Sequence, residues 1–549
     1  MDINQFILEE INRKLSQKRE LSSEYLSRVK RKASKRYKLP CPTNIELLET
    51  YRKLVENNKL KPNKSVEKLL MTKGIRTSSG VAVIAVLTKP YPCPGACVYC
   101  PSEKNMPKSY LSNEPAVMRA ILTDFDPYRQ VRTRIKSLSV TGHKTDKIEL
   151  IVMGGTFSYL PEKYQTWFIE ECFRACNGTK LKNQKCPPKA DAPRAQKVKT
   201  MDLDLVTLQK QNERSKHRIV GLTLETRPDY ITEKEILRMR KLGATRVELG
   251  VQSIYDDVLK LNNRGHGRAE IIQATRLLKN TGFKVNYHMM PNLPGSNFKR
   301  DLAMFRELFA NPDFQPDIIK IYPCVVVKNA EIYKWWKSGK YKPYSDKKLV
   351  ELLCEIKKIV PYYARITRLV RDIPSTSIIA GNKISNLRQI LDKRSQEEGW
   401  KCKCIRCREI RAGYGLETKL KLFRQDYEAS CGKEIFLSFE DKKREHIYSM
   451  LRLRINNDNK DLPFPILNGS AIIRELHTYG KLVAVSAKSK RSPQHTGLGK
   501  KLILEAERIA KEEFDLKKIT VISGIGVRDY YRKLGYKQRD GYMVKTLTE

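Results

Sequence analysis

The chain has 549 residues, of which 106 are Lys or Arg and 61 are Asp or Glu, so its formal net charge is +45. Apolar residues make up 40% and charged residues 30% of the sequence, which is typical of a globular protein and not of a disordered one. No apolar run reaches the roughly 18–20 residues that span a bilayer, and the first residues lack the apolar core of a signal peptide. We therefore expect a cytoplasmic protein with no membrane partner, and the charge predicts binding to a large polyanion.

Residues 1–75 predict a basic helical segment. Seven cations and no acid fall within eleven consecutive positions: Arg28, Lys30, Arg31, Lys32, Lys35, Arg36 and Lys38. Such a run is often only a solvated helix face, but the lack of compensating carboxylates favours a surface that contacts nucleic-acid phosphates.

Residues 76–325 alternate short runs of β-type residues with helical stretches. The predicted strands cover residues 82–89, 148–153, 219–225, 245–251, 284–290 and 317–322. Six βα-type units predict a partial parallel barrel, whose chemistry belongs at the carboxyl ends of its strands. Polar residues follow several of these ends, among them Arg227, His288 and Tyr322. A charged stretch at about 177–217 predicts an inserted loop.

Two further segments complete an α/β chain. Residues 326–425 predict a mixed connector. Residues 426–549 predict a second α/β domain, with several strands, a long helix and a closing helix.

The first cysteine group has the spacing C-x3-C-x2-C, formed by Cys93, Cys97 and Cys100 just after the first predicted strand. Three thiolates can hold three irons of a [4Fe–4S] cluster and leave the fourth iron open, whereas a zinc loop would need a fourth ligand from elsewhere. Gly154 and Gly155 follow the second strand. This combination resembles the radical S-adenosylmethionine enzymes, in which the open iron binds S-adenosylmethionine and the glycine pair lies near its methionyl amine.

A glycine-containing loop precedes the long helix of the last segment. It consists of Gln494, His495, Thr496, Gly497, Leu498 and Gly499. Its backbone N–H groups can bind a pyrophosphate, although a simple helix cap would explain the glycines as well.

The same loop resembles the pyrophosphate loop of the GNAT acetyltransferases, which bind acetyl-CoA. In that family the preceding strand lies beside the acetyl and pantetheine part of the cofactor. The matching residues are Glu475, Leu476, His477 and Thr478. A tyrosine after the next strand can contact the cofactor and protonate the leaving thiolate, which the resemblance assigns to Tyr530 or Tyr531; two packed aromatic rings are the alternative.

A radical S-adenosylmethionine barrel followed by a GNAT domain resembles the catalytic subunits of Elongator and their archaeal and bacterial relatives. Matching stretches include CVYCPSE, DKIELIVMGGTF, KIYPC and QHTGLGK. The resemblance implies modification of uridine 34 in tRNA to 5-carboxymethyluridine, with acetyl-CoA as the carbon source. It also implies that Lys147 contacts acetyl-CoA, unless it is a surface lysine at a strand edge, and that Lys320 acts near the thioester.

The resemblance implies the anticodon stem-loop of tRNA as the partner, with no DNA expected, and allows a homodimer. One rival function is a protein lysine acetyltransferase with a structural iron–sulfur domain. Others are a different radical tRNA enzyme, such as a methylthiotransferase, and a tRNA-binding scaffold.

The second cysteine group lies in the basic connector. Cys402, Cys404 and Cys407 have the spacing C-x-C-x2-C, which favours a structural zinc ion. The fourth ligand is not evident, and Cys431 or a histidine could serve.

Overall fold

The computed structural model describes residues 2–17, 21–71, 80–179, 204–410, 420–457, 462–480 and 497–547. In this part of the chain no helix has the length and apolar character needed to cross a membrane.

The amino-terminal segment is a small helical unit with its own apolar core. Its helices are α1 (Ile3–Ser16), α2 (Ser23–Tyr37), α3 (Asn44–Glu56) and α4 (Lys64–Leu70). The Ser22 side chain caps α2, and Thr43 and Glu46 form a capping box at the start of α3. Leu26 and Val29 of α2 are buried in the same cluster as residues of α1 and α3, so the basic run lies on a packed helix.

Seven parallel strands form the curved sheet of the barrel, in the order β1-β2-β3-β4-β5-β6-β8. The strands of this part of the chain are β1 (Ala82–Leu87), β2 (Lys147–Met153), β3 (Arg218–Thr226), β4 (Arg246–Gln252), β5 (Lys284–Met289), β6 (Ile318–Ile321), β7 (Val326–Val327), β8 (Arg365–Arg368) and β9 (Ile378–Ala380). The predicted partial barrel is therefore confirmed. Short β7 and β9 pair with each other in a separate sheet.

Helices cover the outer face of this sheet or lie around its mouth. They are α5 (Pro115–Ile121), α6 (Pro127–Val140), α7 (Glu162–Asn177), α8 (Leu205–Asn212), α9 (Glu233–Leu242), α10 (Asp256–Leu261), α11 (Arg268–Asn280), α12 (Phe298–Ala310), α13 (Ile332–Lys337), α14 (Asp346–Ile359), α15 (Leu387–Glu397) and α16 (Ile405–Arg408).

The structure extends the barrel in two places beyond what the sequence predicts. Strand β8 belongs to the barrel sheet, although it lies in the segment predicted as a connector. The stretch predicted as an inserted loop ends in α8, because Leu205 and Leu208 are buried against the barrel core. Residues 180–203 of that stretch lie outside the described part of the chain.

The carboxyl-terminal domain is built on a second seven-stranded sheet, in the order β10-β11-β12-β13-β14-β16-β15. Its strands and helices are β10 (Lys421–Glu428), β11 (Gly432–Glu440), β12 (Ile447–Asn456), β13 (Ala471–Thr478), α17 (Leu498–Arg508), β14 (Lys518–Val521), α18 (Arg528–Arg532), β15 (Lys537–Arg539) and β16 (Tyr542–Thr546). The parallel pair β13–β14 is joined only as far as Ile473, so the last residues of β13 diverge from its neighbour.

Buried charged side chains join this domain to the amino-terminal edge of the barrel sheet. Asp317, which directly precedes β6, accepts hydrogen bonds from both terminal nitrogens of Arg474, at 3.0 and 2.5 Å. Arg474 also donates to Glu434 at 2.8 Å and to the Phe283 carbonyl at 2.7 Å. Since these side chains are almost fully excluded from solvent, the carboxyl-terminal domain has a defined position below the barrel.

Candidate active site

The first cysteine group lies on a loop at the mouth of the barrel. Cys97 accepts a hydrogen bond from the Arg264 guanidinium at 3.4 Å, and the Cys93 thiol lies 3.8 Å from the Thr156 hydroxyl. Burial, followed by the neighbouring Cys97 thiol, raises the pKa of Cys100 to about 11. The structure therefore places all three thiols at one site, where a bound metal would displace their protons.

The spacing of these thiols fits a cluster better than a single zinc ion. Among the described residues, only two groups of three ligating side chains have all ligand atoms within 4.8 Å of one another, and the loop thiols are in neither. Sulfur atoms that bind one tetrahedral zinc lie about 3.8 Å apart, as its bond length of about 2.3 Å requires, whereas sulfurs on different irons lie further apart.

The glycine pair lies beside the same loop, in backbone conformations that require glycine. Gly154 has φ +135° and Gly155 has φ +99°. A Cβ at Gly154 would lie only 2.0 Å from the Thr88 hydroxyl at the end of β1. Gly155 lines the cavity that the thiols also line, so its backbone is open to a bound molecule.

A cavity of about 940 Å³ extends from the thiols into the barrel. It reaches Arg365 at the start of β8, whose guanidinium lies 3.4 Å from the hydroxyl of Tyr479, directly after β13. One cavity therefore connects the cysteine loop with the edge of the barrel that meets the carboxyl-terminal domain.

Charged side chains meet in the middle of this cavity. Lys320 forms an ion pair with Glu248 and lies 4.0 Å from Glu225. His288 lies 2.9 Å from Glu248, and Tyr110 donates to Glu225 at 2.8 Å. Burial alone would raise the pKa of Glu248, but Lys320 and His288 hold it well below its usual range. Because Lys320 occupies the place of a cation, we read this group as a charge network and not as a metal site.

The two glutamates of this network were not predicted from the sequence. Each lies inside an otherwise apolar run that reads as a buried strand, GLTLE for Glu225 and VELGV for Glu248. A glutamate inside a strand that is predicted to be buried could have indicated both residues, since a buried carboxylate needs a charged or hydrogen-bonding partner.

Lys147 begins β2, at the end of the strand opposite to the glycine pair. It shares the inward face with Glu149 and Ile151, which line the cavity. Burial lowers the pKa of Lys147. Its place is the edge of the barrel against which the carboxyl-terminal domain packs.

The predicted acetyl-CoA residues separate into two sets because side chains alternate along a strand. Leu476 and Thr478 face the start of α17: a Cβ at Gly499 would lie 3.5 Å from the Thr478 hydroxyl and 3.2 Å from that of Tyr530. Gly497, with φ +77°, caps this helix.

The alternate side chains of β13 point toward the barrel. Glu475 lies 3.2 Å from Lys284 and accepts from Arg452 at 2.9 Å. Burial would raise the pKa of Glu475, but these cations lower it to about 2. The His477 ring contacts that of Tyr479, with centroids 4.3 Å apart. Gln494, His495 and Thr496 lie outside the described residues.

The two predicted catalytic tyrosines differ in their surroundings. Tyr530 is adjacent to Gly499 and Thr478, and burial raises its pKa to about 12. Tyr531 is 5% exposed and packs in the apolar core of the domain against Tyr536. Of the two tyrosines, Tyr530 is therefore the one whose hydroxyl lies near the cleft where β13 and β14 diverge.

The second cysteine group is compact. The sulfurs of Cys402, Cys404 and Cys407 lie within 4.8 Å of one another, and hydrogen bonds from the other two thiols lower the pKa of Cys404. Among the described residues no fourth Cys, His, Asp or Glu joins them, and Cys431 lies instead in the turn between β10 and β11. The three sulfurs fit one tetrahedral ion with a fourth position open.

Most of the basic run is exposed on one side of α2. The exposed cations are Arg28, Arg31, Lys32, Lys35, Arg36 and Lys38. Lys30 differs, because its ammonium group contacts the Asn44 side chain at 2.5 Å and burial lowers its pKa. Arg36 also lies over the Phe6 ring, 4.9 Å from the centroid.

Comparison with known proteins assigns a class to this site. Residues 91–308 match the radical SAM superfamily, and residues 316–397 match the radical SAM C-terminal domain. The barrel and the three-cysteine loop therefore belong to a radical S-adenosylmethionine enzyme, a class that uses a [4Fe–4S] cluster and S-adenosylmethionine.

Relatives of nearly full length define the family. The tRNA uridine(34) acetyltransferase of Methanocaldococcus infernus is 45% identical over 98% of this chain and 98% of its own. The Elongator complex protein 3 of Homo sapiens is 39% identical over 95% of this chain and 93% of its own. The chain belongs to the family of tRNA uridine(34) acetyltransferases and Elongator complex protein 3.

A solved structure supports the same assignment. The archaeal Methanocaldococcus infernus Elp3 with an N-terminal deletion is 45% identical and superimposes with a TM-score of 0.70, covering 85% of this chain and 99% of its own.

Proposed function

We propose that this chain modifies uridine 34 of tRNA in the cytoplasm, and that acetyl-CoA supplies the carbon for a 5-carboxymethyl group. The observation that carries the proposal is the cavity that joins the cysteine loop to the edge of the barrel below which β13 ends. A radical site at the mouth of this cavity and an acyl site in the domain below its other edge can act on the same acetyl group.

The residues of the chain divide this work between the two ends. Cys93, Cys97 and Cys100 hold the cluster, which with S-adenosylmethionine supplies a 5′-deoxyadenosyl radical when bound. The backbone of Gly155 receives the methionyl part of that cofactor. In the middle, Lys320 keeps a positive charge in the cavity, since its pairing with Glu248 outweighs burial and raises its pKa.

At the other end, Thr478, Gly499 and Tyr530 form the acetyl-CoA site. The pyrophosphate lies at the start of α17, where the backbone N–H groups have no partner within the helix. The Tyr530 hydroxyl is protonated at neutral pH, as tyrosines ordinarily are, and can donate its proton to a leaving thiolate; burial raises its pKa further, to about 12. Lys147 contacts the cofactor from the barrel side.

The second cysteine group holds a structural zinc ion in this proposal. Cys404 directly precedes α16, and the Ile405 backbone N–H donates to the Ala364 carbonyl just before β8. A metal at the three thiols would fasten the connector to the last strand of the barrel.

A nucleoside assay tests the proposed function. The anaerobically reduced protein is incubated with tRNA, S-adenosylmethionine and acetyl-CoA, and digested tRNA is analysed by mass spectrometry. We expect 5-carboxymethyluridine only when both cofactors are present. Acetylation of protein lysines without a change in tRNA would favour the rival function, a protein lysine acetyltransferase. That rival function assigns no role to the cavity between the cysteine loop and the carboxyl-terminal domain.

Replacing Gly499 tests the acetyl-CoA site. In Gly499→Val, side-chain carbons would occupy the space beside Tyr530 and Thr478 that the cofactor enters. A steric cost of about 1–3 kcal/mol to the bound cofactor, similar to that of overpacking a core, corresponds to about 5- to 150-fold weaker binding. Calorimetry with acetyl-CoA measures the change. The control is Gly221→Ala in β3, where the nearest atom to the new carbon lies at 3.7 Å. Unchanged affinity in the Gly499 variant would place the cofactor elsewhere.

Removing charge from α2 tests the basic face. The variant Arg31→Gln/Lys35→Gln neutralises two exposed cations one helical turn apart and leaves the buried side of the helix unchanged. If both contact phosphates, the slope of log K against log salt for tRNA binding should fall by about 1.4–1.8. The control is Lys421→Gln/Lys537→Gln, on exposed positions of the carboxyl-terminal sheet. Equal slopes in the two variants would show that α2 is only a solvated face.

A further inference from the structure

The short helix α13 lies on the cysteine loop at the barrel mouth. The Ile332 backbone N–H donates to the Val98 carbonyl at 2.8 Å, and that of Ser102 donates to the Asn329 carbonyl at 2.8 Å. These hydrogen bonds lie on either side of Cys100. Because Val98 and Ile332 are also buried in one apolar cluster, α13 has a fixed position beside the thiols.

This helix carries an unusual concentration of aromatic rings. Two of the four tryptophans of the chain, Trp335 and Trp336, are adjacent in it. Tyr333 and Trp336 lie one turn apart and stack on each other, with centroids 5.9 Å apart and an angle of 29° between the planes. Both rings pack against the apolar cluster under the helix but are only partly buried, so each retains surface in contact with solvent.

Exposed lysines surround the aromatic pair. The segment from residue 328 to residue 348 has seven lysines and only two acids, Glu331 and Asp346. All seven lysines are exposed: Lys328, Lys334, Lys337, Lys340, Lys342, Lys347 and Lys348. Only Lys334 is close to an acid within the segment, at 2.9 Å from Glu331, so the surface is strongly positive. Aromatic faces among cations are the combination with which proteins bind single-stranded nucleic acid.

We propose that the aromatic and basic segment 328–348 binds the single-stranded bases of the anticodon loop, with one base stacked on the Tyr333–Trp336 pair and the flanking phosphates on its lysines. This inference rests on the proposed function, because it names the surface that would present uridine 34 to the cavity. The location of this surface follows from the attachment of α13 to the cysteine loop. A base bound on α13 lies beside the mouth of the barrel, through which the adjacent uridine 34 must enter the cavity.

Base stacking and phosphate contact can be separated experimentally. Trp336→Ala removes a stacking surface without changing charge, and Trp336→Phe retains an aromatic face. The probes are a synthetic RNA hairpin of the anticodon stem and loop, and a duplex of the stem sequence alone. We expect Trp336→Ala to weaken hairpin binding by about 5- to 150-fold, with duplex binding and the salt slope unchanged. Trp336→Phe should restore most of the affinity.

A second variant covers the lysines. Lys337→Gln/Lys340→Gln should lower the salt slope of hairpin binding by about 1.4, as expected for two contacts with single-stranded phosphates. The visible absorbance of the cluster serves as the control for folding, because α13 is bonded to the cysteine loop. Wild-type affinity of Trp336→Ala for the hairpin would overturn the proposal.

A second group of aromatic rings at the mouth of the barrel is an alternative stacking site for the bases of the anticodon loop. Tyr159 is 40% exposed and contacts Tyr91 and Tyr230, with centroids 6.0 and 5.8 Å away, above the ends of β1, β2 and β3. Loss of hairpin binding in Tyr159→Ala but not in Trp336→Ala would also overturn the proposal. The nucleoside assay on the unaltered protein separates the proposed function from the proposed binding surface. If the unaltered protein forms no product but Trp336→Ala still weakens hairpin binding, the proposed function is refuted and the proposed binding surface is retained.

Discussion

Cys97→Ser is expected to abolish both the visible absorbance of the protein and the formation of 5′-deoxyadenosine. A serine hydroxyl is a poor ligand for iron, so only two of the three thiolates on the loop would remain. Arg264 would lose its contact with the Cys97 sulfur. The variant should therefore contain no stable cluster after anaerobic reconstitution, which absorbance spectra and iron analysis measure.

The affinity for tRNA should survive this change. The phosphate contacts proposed for α2 would lie in a helical unit with its own apolar core, and they would not depend on the cluster. Cys41→Ser is the matched control, because it removes one exposed thiol outside the loop. A Cys97→Ser protein that modifies uridine as fast as the unaltered protein would refute the radical chemistry altogether.

The barrel could be predicted closely from the sequence because several of its strands are short apolar runs, some of them buried on both faces. In β4 six successive residues are buried, and such continuous runs identify strands of a parallel sheet. Strand β8 was missed since RITR is short and has an arginine at each end. Strand β10 was missed because KLFRQDYE is a largely exposed edge strand, in which polar residues dominate.

The two cysteine groups and the glycine pair are local patterns. The resemblance assigns the first group and the glycine pair, and spacing alone predicts a zinc ion at the second group. The charge network of the cavity and the contact between the domains, by contrast, join residues that are far apart in the sequence. Arg474 and Asp317 are 157 residues apart, and neither stands in a pattern that points to the other. Only the fold brings such partners together, so the sequence did not predict that β13 turns one face toward α17 and the other toward the barrel.

Asp317→Asn should destabilise the contact between the two domains more than any exposed substitution. The carboxylate is fully buried, accepts from Arg474 and from the Val285 backbone N–H, and lies 3.8 Å from Lys279. An amide would leave these cations with less negative charge and present N–H groups to N–H donors. Breaking a buried ion pair in this way costs about 3–5 kcal/mol, which denaturant titration of the full chain measures.

The pH dependence of this effect follows from the same contacts. Burial would raise the pKa of Asp317, but Arg474 and Lys279 hold it well below its usual value. A carboxyl group whose folded-state pKa is depressed stabilises fully above its unfolded pKa of about 3.9 and loses that contribution as the pH falls further. The stability difference between the wild type and Asp317→Asn should therefore be constant near neutral pH and shrink below about pH 4.

In Asp317→Asn, cleavage of S-adenosylmethionine and modification of uridine should respond differently. The cysteine loop lies at the opposite end of the barrel from Asp317, so cleavage of S-adenosylmethionine should persist. Modified uridine should be lost, because Arg474 of β13 would no longer be held against the edge of the barrel. The control is Asp426→Asn, which breaks the partly exposed pair with Arg424 on β10 and should cost at most about 1 kcal/mol. If Asp317→Asn forms product at the wild-type rate, the alignment of the two domains does not limit the reaction.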